Sequence, residues 1–561
     1  MDTSEFASPL LFQDGIDLSL LSRPKEELSD TELQQRVALE RVNAYCSEYE
    51  QKIQDMGGID FFLGGIGPDG HIAFNIRGSN FDSLTRMLQL NYESMAASAD
   101  SLGGMSAARK KLVITIGLRT ITKKPTCQAI IFAAGEAKAE LVQEAIEANM
   151  DESIPSHALR TLPKAIFYLT QGAVKLLSAR TTVPHIPEAS IIRSIERGNS
   201  DHHKALKFLH TEPHHDDIML AYLPFILKSQ VPNGLDVFAC GTSGFNSVSN
   251  GFLLGLVKDA NTLVQSGQLS FLDNDAKDDI SYFTLGFNER DERIQRAAAV
   301  HRFIRNVVGG ESKEVDDIAV KLGSIEEYLS SLYPGQKDTS RPEMQILKGK
   351  CREFESDCLW GTLGWNIDEV TYHLRLGFYT SDVFSPQPVF ERDSGPILEL
   401  LMKERPDVVT LALDPESSGP DTHYKVLQAI TSALVKYQEI IGPNGKQPIV
   451  WGYRNVWCEF DLKETNLILQ VDDSELKSMT DLFIACYQTQ KTAEFPSYQL
   501  DGPFSQISVN SWKAQLEKVR SHLSSDVILP SDTTGMVFIR EMSIEELKSY
   551  SRSLSRLVDD V

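Results

Sequence analysis

The sequence has no excess of basic residues. Its 55 lysines and arginines are outnumbered by 78 aspartates and glutamates, so the formal net charge is -23 at pH 7. A strongly acidic chain is repelled by the phosphates of nucleic acids and by anionic lipids, which argues against nucleic-acid or membrane-surface partners. The composition is typical of an acidic soluble enzyme.

Signals for membrane insertion, secretion and disulfide formation are also missing. No apolar run reaches the roughly 18 residues that a membrane helix needs, and residues 1–14 contain acids but no basic segment of a signal peptide. The 7 cysteines are an odd, scattered set without a CxxC pair, which predicts reduced thiols. These patterns predict a cytoplasmic protein that does not span a membrane.

The length predicts more than one domain, because 561 residues exceed what a single hydrophobic core usually organises. We expect an α/β protein with two open, mainly parallel sheets. The irregular stretch 181–204 is the predicted linker between a domain at 1–180 and a domain at 205–540. A charged helical insertion is expected at about 273–350, and a helix is expected at 541–561.

The stretch 209–220 concentrates side chains that bind metals. Two histidines and two aspartates occupy positions 214–217, between a predicted buried strand at 205–209 and an apolar run. A histidine followed three residues later by an aspartate offers one nitrogen and one oxygen to a single ion, a set that suits Zn²⁺. For an isolated pattern of this kind, a solvated polar turn is the alternative.

Two further segments accompany this motif. Residues 213–217, Pro-His-His-Asp-Asp, resemble the Pro-His-Pro-Asp-Asp signature of the LmbE-like (PIG-L) zinc deacetylases, which remove acetyl groups from N-acetylglucosaminyl substrates. A predicted strand at 408–413 precedes His423, which matches that family's third ligand, and residues 352–364 match a helix between the two motifs. The resemblance implies a Rossmann-like domain.

The same resemblance implies the roles of four residues. Zn²⁺ is expected on His214, Asp217 and His423, and Asp216 is expected to act as the general base in hydrolysis of an acetamide. The sequence departs from the family at Ile218, where a glutamate is usual, and it has glycine at position 419, where a histidine is usual.

A glycine-rich run follows a predicted strand in the first region. Residues 64–75 read Gly-Gly-Ile-Gly-Pro-Asp-Gly-His-Ile-Ala-Phe-Asn. Closely spaced glycines let a backbone turn tightly against a ligand, although many strand ends need glycine for packing only. The run resembles the glucosamine-6-phosphate deaminases, and further matches at 83–86, 112–117 and 130–138 extend the resemblance over most of residues 35–172.

This second resemblance implies a sugar-phosphate isomerase-like domain with its own site. His71 is expected to help open the pyranose ring and Asp69 to orient it. An imidazole that titrates near neutral pH suits that proton transfer. The predicted substrate-binding residues are Lys138 for the phosphate, together with Arg86, Gly67 and Gly70.

Some deaminase features are not matched. Ile76 stands where the family has a glutamate of the ring-opening group, and residues 93–104 contain no basic residue for the phosphate. The family begins with a βα segment that carries a Gly/Thr phosphate loop and leads to an Asp-Glu pair, and only its end would fit before Thr31. We therefore expect an incomplete, impaired deaminase region.

Four other motifs have two interpretations each. The pair His202-His203 is a weak metal candidate and more often a surface loop. Residues 241–246 form either a sugar-contacting loop or an ordinary turn, and Tyr453 and Arg454 are either core or sugar contacts. Residues 495–504 form either a loop closing over a carbohydrate or a rigid surface loop.

The two resemblances together imply a hydrolase of amino-sugar metabolism. Its expected activity is zinc-dependent removal of the acetyl group from an N-acetylglucosamine-type substrate. The alternatives are a glucosamine-6-phosphate deaminase in a longer chain, producing fructose 6-phosphate and ammonia, and a non-catalytic sugar-phosphate-binding regulator. The expected partner is a small amino sugar or its phosphate, and the deaminase resemblance allows a homo-oligomer.

Overall fold

The computed structural model has the expected mixed α/β class with mainly parallel sheets. That expectation from the sequence is confirmed. The residues it describes are 12, 16–67, 69–91, 94–95, 112–170, 172–178, 186–229, 235–309, 314–332, 341–380, 386–415, 421–455, 458–491 and 503–550.

The strands fall into three sheets. Their bounds are β1 Phe61–Gly65, β2 Arg86–Gln89, β3 Leu112–Thr115, β4 Gln128–Ala133, β5 Lys164–Leu169, β6 Phe208–Glu212, β7 Val237–Cys240, β8 Thr371–His373, β9 Val408–Ala412, β10 Ile449–Tyr453, β11 Leu467–Asp472 and β12 Thr533–Met542.

The α-helices vary from one turn to six or more. Their bounds are α1 Asp30–Asp55, α2 Leu118–Thr122, α3 Ala139–Glu147, α4 Glu188–Gly198, α5 Asp217–Ser229, α6 Asn250–Gln265, α7 Asp278–Glu289, α8 Glu292–Val308, α9 Val315–Ser331, α10 Pro342–Thr362, α11 Ile367–Val370, α12 Gly395–Glu404, α13 Asp421–Ile441, α14 Asp473–Cys486, α15 Phe504–Arg520 and α16 Ile544–Lys548.

The first region contains a three-stranded parallel sheet in the order β1-β4-β5 and a β2-β3 antiparallel hairpin. One face of the parallel sheet packs on a core that includes Ile131 and Val142. The opposite face carries exposed apolar side chains. These are Phe61, Leu63, Phe132, Ile166 and Tyr168, each between 41% and 57% exposed.

The second region is built on a seven-stranded sheet in the order β11-β12-β10-β9-β6-β7-β8. Strand β12 runs antiparallel to both of its neighbours, and the other pairs are parallel. Separate apolar clusters, one including Phe208 and one including Leu209, pack beside the sheet, because alternate residues of a strand point to opposite faces. The carboxyl ends of β6 and β9 therefore meet at one edge, which is where ligands of open α/β sheets bind.

The position expected for the central strand was wrong by three residues. The sequence predicted a strand at 205–209, whereas residues 201–205 form a 3-10 turn and β6 spans Phe208–Glu212. The reason is the partner strand: the Lys207 backbone N–H donates to the Asp407 carboxylate at 2.9 Å, and pairing with β9 begins at Phe208. This shift brings the end of the strand to the residue before Pro213.

Helices α6 to α10 lie between β7 and β8 in sequence and enclose an apolar cluster of their own. Helix α1 begins after Ser29, whose side chain forms a capping box with Glu32. No helix among the described residues is both long and apolar enough to cross a membrane. Residues 181–185 and 551–561, and with them parts of the predicted linker and C-terminal helix, lie outside the described residues.

Candidate functional site

Three elements bring the predicted metal ligands together. His214 lies in the short loop after β6, Asp217 is the first residue of α5, and His423 lies in the first turn of α13, which follows β9. The His214 backbone N–H donates to the Asp217 Oδ2 atom at 2.7 Å, which closes the loop over the start of α5. Because β6 and β9 are parallel neighbours, residues that are 209 apart in sequence meet at one edge of the sheet.

The distances among the three ligand atoms suit a single ion. His214 Nδ1 lies 3.1 Å from His423 Nε2, and Asp217 Oδ2 lies 3.5 Å from each of these nitrogens. Ligand atoms about 2.1 Å from a tetrahedral zinc are separated by about 3.4 Å. The three side chains therefore fit three corners of a tetrahedral site and leave the fourth corner for a small ligand.

Two further residues orient these ligands. Asp414 Oδ2 accepts a hydrogen bond from His423 Nδ1 at 2.7 Å, and the Nε2 atom of His423 faces His214 and Asp217. The Asn455 side-chain amide donates to Asp217 Oδ1, and the Asn455 backbone N–H donates to Asp414 Oδ1 at 3.1 Å. Such outer partners fix the tautomer and direction of metal ligands in known sites.

The charges in this cluster reinforce one another. Burial disfavours the charged form of His423, but the carboxylates of Asp217 and Asp414 outweigh burial and raise the pKa of His423 to about 9. Burial likewise opposes ionisation of Asp217, yet the positive charge of His423 lowers the pKa of Asp217. The buried carboxylates thus create a site that favours positive charge.

The predicted general base, Asp216, is held from the other side. Its Oδ1 atom forms an ion pair with Arg352 Nη2 at 2.9 Å, and Arg352 Nη1 pairs with Glu355 Oε2 at 2.9 Å. Glu355 in turn accepts hydrogen bonds from the backbone N–H and hydroxyl of Thr489 at 2.6 and 2.7 Å. Within the described residues, Asp216 Oδ2 has no hydrogen-bond partner, so one oxygen is anchored and the other is available.

The loop after β7 packs against the loop that carries His214. Gly241 donates its backbone N–H to the Glu212 carbonyl at 2.7 Å, and the buried Thr242 hydroxyl donates to the Pro213 carbonyl at 2.9 Å. Gly244 has a φ of +62°, and a Cβ there would lie 3.4 Å from Arg352. Residues 241–246 therefore border the site, as one of their two interpretations requires.

The deaminase-like motif forms a second polar cluster. His71 Nδ1 lies 2.5 Å from Asp69 Oδ1 and 2.9 Å from the Ser94 hydroxyl. A Cβ on Gly67 would lie 2.0 Å from the His71 ring, so only glycine allows the ring to occupy this position. Gly70 has a φ of +81°, a conformation that also favours glycine.

The two predicted cations of this region have different surroundings. Burial lowers the pKa of Lys138, and the nearby charge of Asp69 partly opposes that shift. Arg86 donates to the Asn75 side chain at 2.8 Å and to the Ser79 hydroxyl at 3.0 Å. Lys138 thus lies near the Asp69–His71 pair, whereas Arg86 is engaged by protein groups.

Ile76, at the position of the family's glutamate, has an apolar environment. It is partly buried and packs against the cluster of Leu88, Leu90 and Met95. A carboxylate at this position would lose apolar contacts and be partly desolvated. The surroundings, and not only the residue itself, therefore differ from what ring opening by a glutamate requires.

Comparison with known proteins supports the resemblance of the first region to the glucosamine-6-phosphate deaminases. No family model matches the chain. It is 37% identical over 136 residues to the glucosamine-6-phosphate deaminase of Caenorhabditis elegans, which covers 24% of this chain and 50% of that protein. The corresponding enzyme of Parabacteroides distasonis is 34% identical over 142 residues, 25% of this chain and 52% of that enzyme. The chain therefore contains a glucosamine-6-phosphate deaminase-like region and spans about half the length of these curated relatives.

A longer match and a solved structure complete the comparison. A glucosamine-6-phosphate deaminase-like protein of Bacteroides thetaiotaomicron is 23% identical over 493 residues, which is 82% of this chain and 72% of that protein. Among solved structures, a monomeric glucosamine-6-phosphate deaminase of the NagB superfamily shares 29% identity over 27% of this chain and 58% of its own, with a TM-score of 0.22.

The remaining sequence motifs have mostly structural positions. His203 is buried and its Nε2 bonds the Arg197 carbonyl at 2.7 Å, while His202 is exposed. Tyr453 is buried and donates its hydroxyl to the Thr211 carbonyl at 2.8 Å, and Arg454 is buried in a charged cluster. Position 419 and residues 495–502 lie outside the described residues.

Sequence reasoning missed three residues that support the candidate metal ligands or the candidate base. Asp414 directly follows the predicted strand at 408–413, and this position was the available signal, because an acid there is a usual partner of a metal-bound histidine. Asn455 and Thr489 gave no signal, because their contacts depend on strand order and on a turn after α14.

Proposed function

We propose that the chain hydrolyses the acetamide group of an N-acetylated amino sugar in a zinc-dependent reaction. The observation that carries the proposal is the triangle of His214, Asp217 and His423 atoms, with sides of 3.1, 3.5 and 3.5 Å, beside the anchored carboxylate of Asp216. Three protein ligands with an open fourth position are typical of catalytic rather than structural zinc sites.

The side chains of the chain have distinct roles in this reaction. When bound, zinc would supply a Lewis acid that activates water and polarises the acetamide carbonyl. Asp216 Oδ2 accepts the proton of the attacking water, and Arg352 keeps that oxygen in place by holding Oδ1. Asp414 keeps His423 in the tautomer that presents Nε2 to the site.

The deaminase-like region supports an amino sugar as substrate class. Its relatives in Caenorhabditis elegans and Parabacteroides distasonis are glucosamine-6-phosphate deaminases. Deacetylation produces a free amine, and deamination consumes one, so the two chemistries act in sequence on one kind of sugar. The Bacteroides thetaiotaomicron relative matches over 493 residues, which extends well beyond the length of the first region.

The direct test is acetate release. Zinc-loaded chain incubated with N-acetylglucosamine or with its 6-phosphate should release acetate and a free amino sugar, and a chelator should stop the reaction. The comparison of the two sugars decides whether the phosphate is recognised. Acetate release at the uncatalysed rate with both sugars, from protein with stoichiometric zinc, would contradict the proposal.

A second candidate function is binding or deamination of glucosamine 6-phosphate in the first region. The Asp69–His71 pair at 2.5 Å, with Lys138 near it, favours this candidate. Ile76 argues against turnover, since ring opening and enolisation need several groups placed together. We expect no appreciable ammonia from the 561-residue chain, and ammonia that disappears in His71→Ala would show the site to be active.

A non-catalytic regulator is the remaining alternative. It would bind glucosamine 6-phosphate measurably while releasing neither acetate nor ammonia.

The cytoplasmic location, the domain bounds and a homo-oligomer stay predictions from the sequence.

A further inference from the structure

A cavity of about 220 Å³ lies among helices α6, α8 and α10 and the end of α14. Protein interiors are close-packed, and voids much larger than a water molecule are few in a domain. None of His214, Asp216, Asp217 and His423 lines this cavity, so it is separate from the candidate metal centre.

Most of the cavity wall is apolar. It is lined by Phe252 and Leu256 of α6, Phe283 of α7, Phe303 of α8 and Phe354 of α10. A cavity of about 150 Å³ with walls of this kind is enough for a benzene ring in other proteins. A volume of about 220 Å³ therefore accommodates one aromatic ring with a short substituent.

Three polar side chains of the wall, those of Gln295, Asn306 and Lys350, lack protein partners among the described residues. Gln295 is only 7% exposed, yet its side-chain amide has no hydrogen bond among the described residues. The side chains of Lys350 and Asn306 also line the cavity, and within the described residues they form no hydrogen bond or ion pair. A buried amide without a partner is costly, and a ligand atom would remove that cost.

The charges of the wall favour an anion. The two acids, Glu292 and Glu355, are paired with Lys491 at 3.3 Å and with Arg352 at 2.9 Å. The arginines of the wall are paired as well, Arg296 with Asp259 at 2.7 Å and Arg302 with Asp279 at 3.3 Å. Among the described charged side chains of the wall, the ammonium of Lys350 is therefore the one without a counterion.

We propose that this cavity binds a small aromatic carboxylate, with its ring among the phenylalanines and its carboxylate on Lys350. The amides of Gln295 and Asn306 supply further hydrogen bonds to the bound molecule. Such a ligand would also contact Glu355, the side chain that holds Arg352 in place. Binding of the aromatic carboxylate does not depend on the proposed deacetylation, so the binding and the deacetylation are tested separately.

The experiment is titration calorimetry of the full chain with 3-phenylpropionate and with 3-phenylpropan-1-ol. The carboxylate should bind at least fivefold more tightly than the alcohol. Lys350→Met should remove that preference, whereas Lys258→Met, an exposed lysine of α6 outside the cavity, should keep it. Ala299→Leu, which fills the cavity from α8, should weaken both ligands at least tenfold, and Ala297→Leu on the same helix should not.

Three results would overturn the proposal. They are absence of binding of either probe at 10 mM (roughly the weakest affinity expected for a ligand of this size), equal affinity for acid and alcohol in the wild type, and binding unchanged by Ala299→Leu. If Ala299→Leu does not fold, Leu256→Phe fills the same space from α6 and gives the same readout.

Discussion

At the scale of the residue, the candidate metal centre depends on how each side chain is oriented by its neighbour. Asp414 holds His423, and Asn455 holds Asp217 through the oxygen that does not face the histidines. His423 and Asp217 therefore each have one atom bound by the protein and one atom directed at the site. Two ligands rarely retain zinc against solvent, which makes the loss of any one of them informative.

The first prediction concerns the amount of zinc that the chain binds. The wild-type chain should bind about one zinc, as expected for a single three-ligand site, and His423→Ala should lose stoichiometric binding. The exposed His202 provides the matched control, and His202→Ala should keep the wild-type ratio. Metal analysis after gel filtration measures the ratio, and an unchanged ratio in His423→Ala would remove this residue from the site.

The second prediction concerns the pH dependence of stability. His203 is 7% exposed and packs edge-on against Trp451 with ring centroids 4.9 Å apart. Burial lowers the pKa of His203 below its ordinary value of 6.5. The folded state therefore resists protonation more than the unfolded chain does, so this contribution to stability is present above pH 6.5 and is lost as the pH falls below it.

Replacement of His203 should reduce that dependence. His203→Leu should flatten the loss of unfolding free energy on acidification by up to about 1.4 kcal/mol per pH unit, the share of one proton. His202→Leu, at the exposed neighbour, should leave the slope unchanged. Urea unfolding at several pH values provides the slopes, and equal slopes in the two variants would count against a neutral buried His203.

Residues recognised from the sequence and residues that were missed differ in one physical respect. His214 and Asp217 were predicted because metal chemistry restricts the residue types and their spacing, and His423 was predicted from the resemblance to the zinc deacetylases. Asn455 and Thr489 were not found, because an amide or hydroxyl becomes functional only through the element that carries it to the site. Side-chain type alone does not indicate such a position.

At the scale of the element, α10 connects the candidate base to the helical segment. Arg352 has a side chain only 2% exposed and bridges Asp216 and Glu355. Three charges in so little solvent are stable only as a set, since removal of one partner leaves an unpaired buried charge. The helix thereby positions the Asp216 carboxylate by electrostatics as well as by packing.

The third prediction tests this role. Arg352→Met should lower the free energy of unfolding by about 3–5 kcal/mol, because it leaves two buried carboxylates without their cation. Arg375 of the same region has a side chain 58% exposed and pairs with Glu353 at 2.5 Å, so Arg375→Met should cost less than about 1 kcal/mol. Tryptophan fluorescence during urea unfolding reports this region, because all 5 tryptophans follow residue 205. Similar losses in the two variants would contradict the buried network.

Element boundaries show what periodicity can predict. The apolar run 408–413 and strand β9 at Val408–Ala412 nearly coincide, because every residue of this strand is buried. The run at 205–209 misled, since Lys207 and Leu206 precede the pairing that starts at Phe208. Strand type follows from composition, whereas its first residue depends on a partner 200 positions away.

At the scale of the whole molecule, a charged cluster joins the two regions. Lys175 pairs with Glu136 at 2.5 Å and with Glu464 at 2.7 Å, and the buried Arg454 lies 3.6 Å from Glu136. Glu136 is two residues before Lys138 and Arg454 directly precedes Asn455, so the cluster lies between the sugar-phosphate candidates and the candidate metal centre. Nothing in the sequence pattern pairs residues this far apart.

The fourth prediction concerns this connection. Lys175→Met should lower the free energy of unfolding by about 1 kcal/mol, a value suited to a partly exposed network, and the melting temperature by about 2 °C. Lys463→Met removes a nearby lysine that pairs only with Asp461 at 3.0 Å within the described residues and should have little effect. Calorimetric melting curves compare them, and a Lys175→Met curve that overlays the wild type would show that the cluster does not hold the regions together.

The most direct measurement of the proposed chemistry is acetate release by Asp216→Asn after zinc loading. An amide cannot accept the proton of the attacking water, while the three ligands and their spacing are unchanged. We predict one zinc per chain, as in the wild type, and a rate of acetate release from N-acetylglucosamine or its 6-phosphate lower by at least about 100-fold. A variant that releases acetate at the wild-type rate would contradict the assignment of Asp216 as the base of this site.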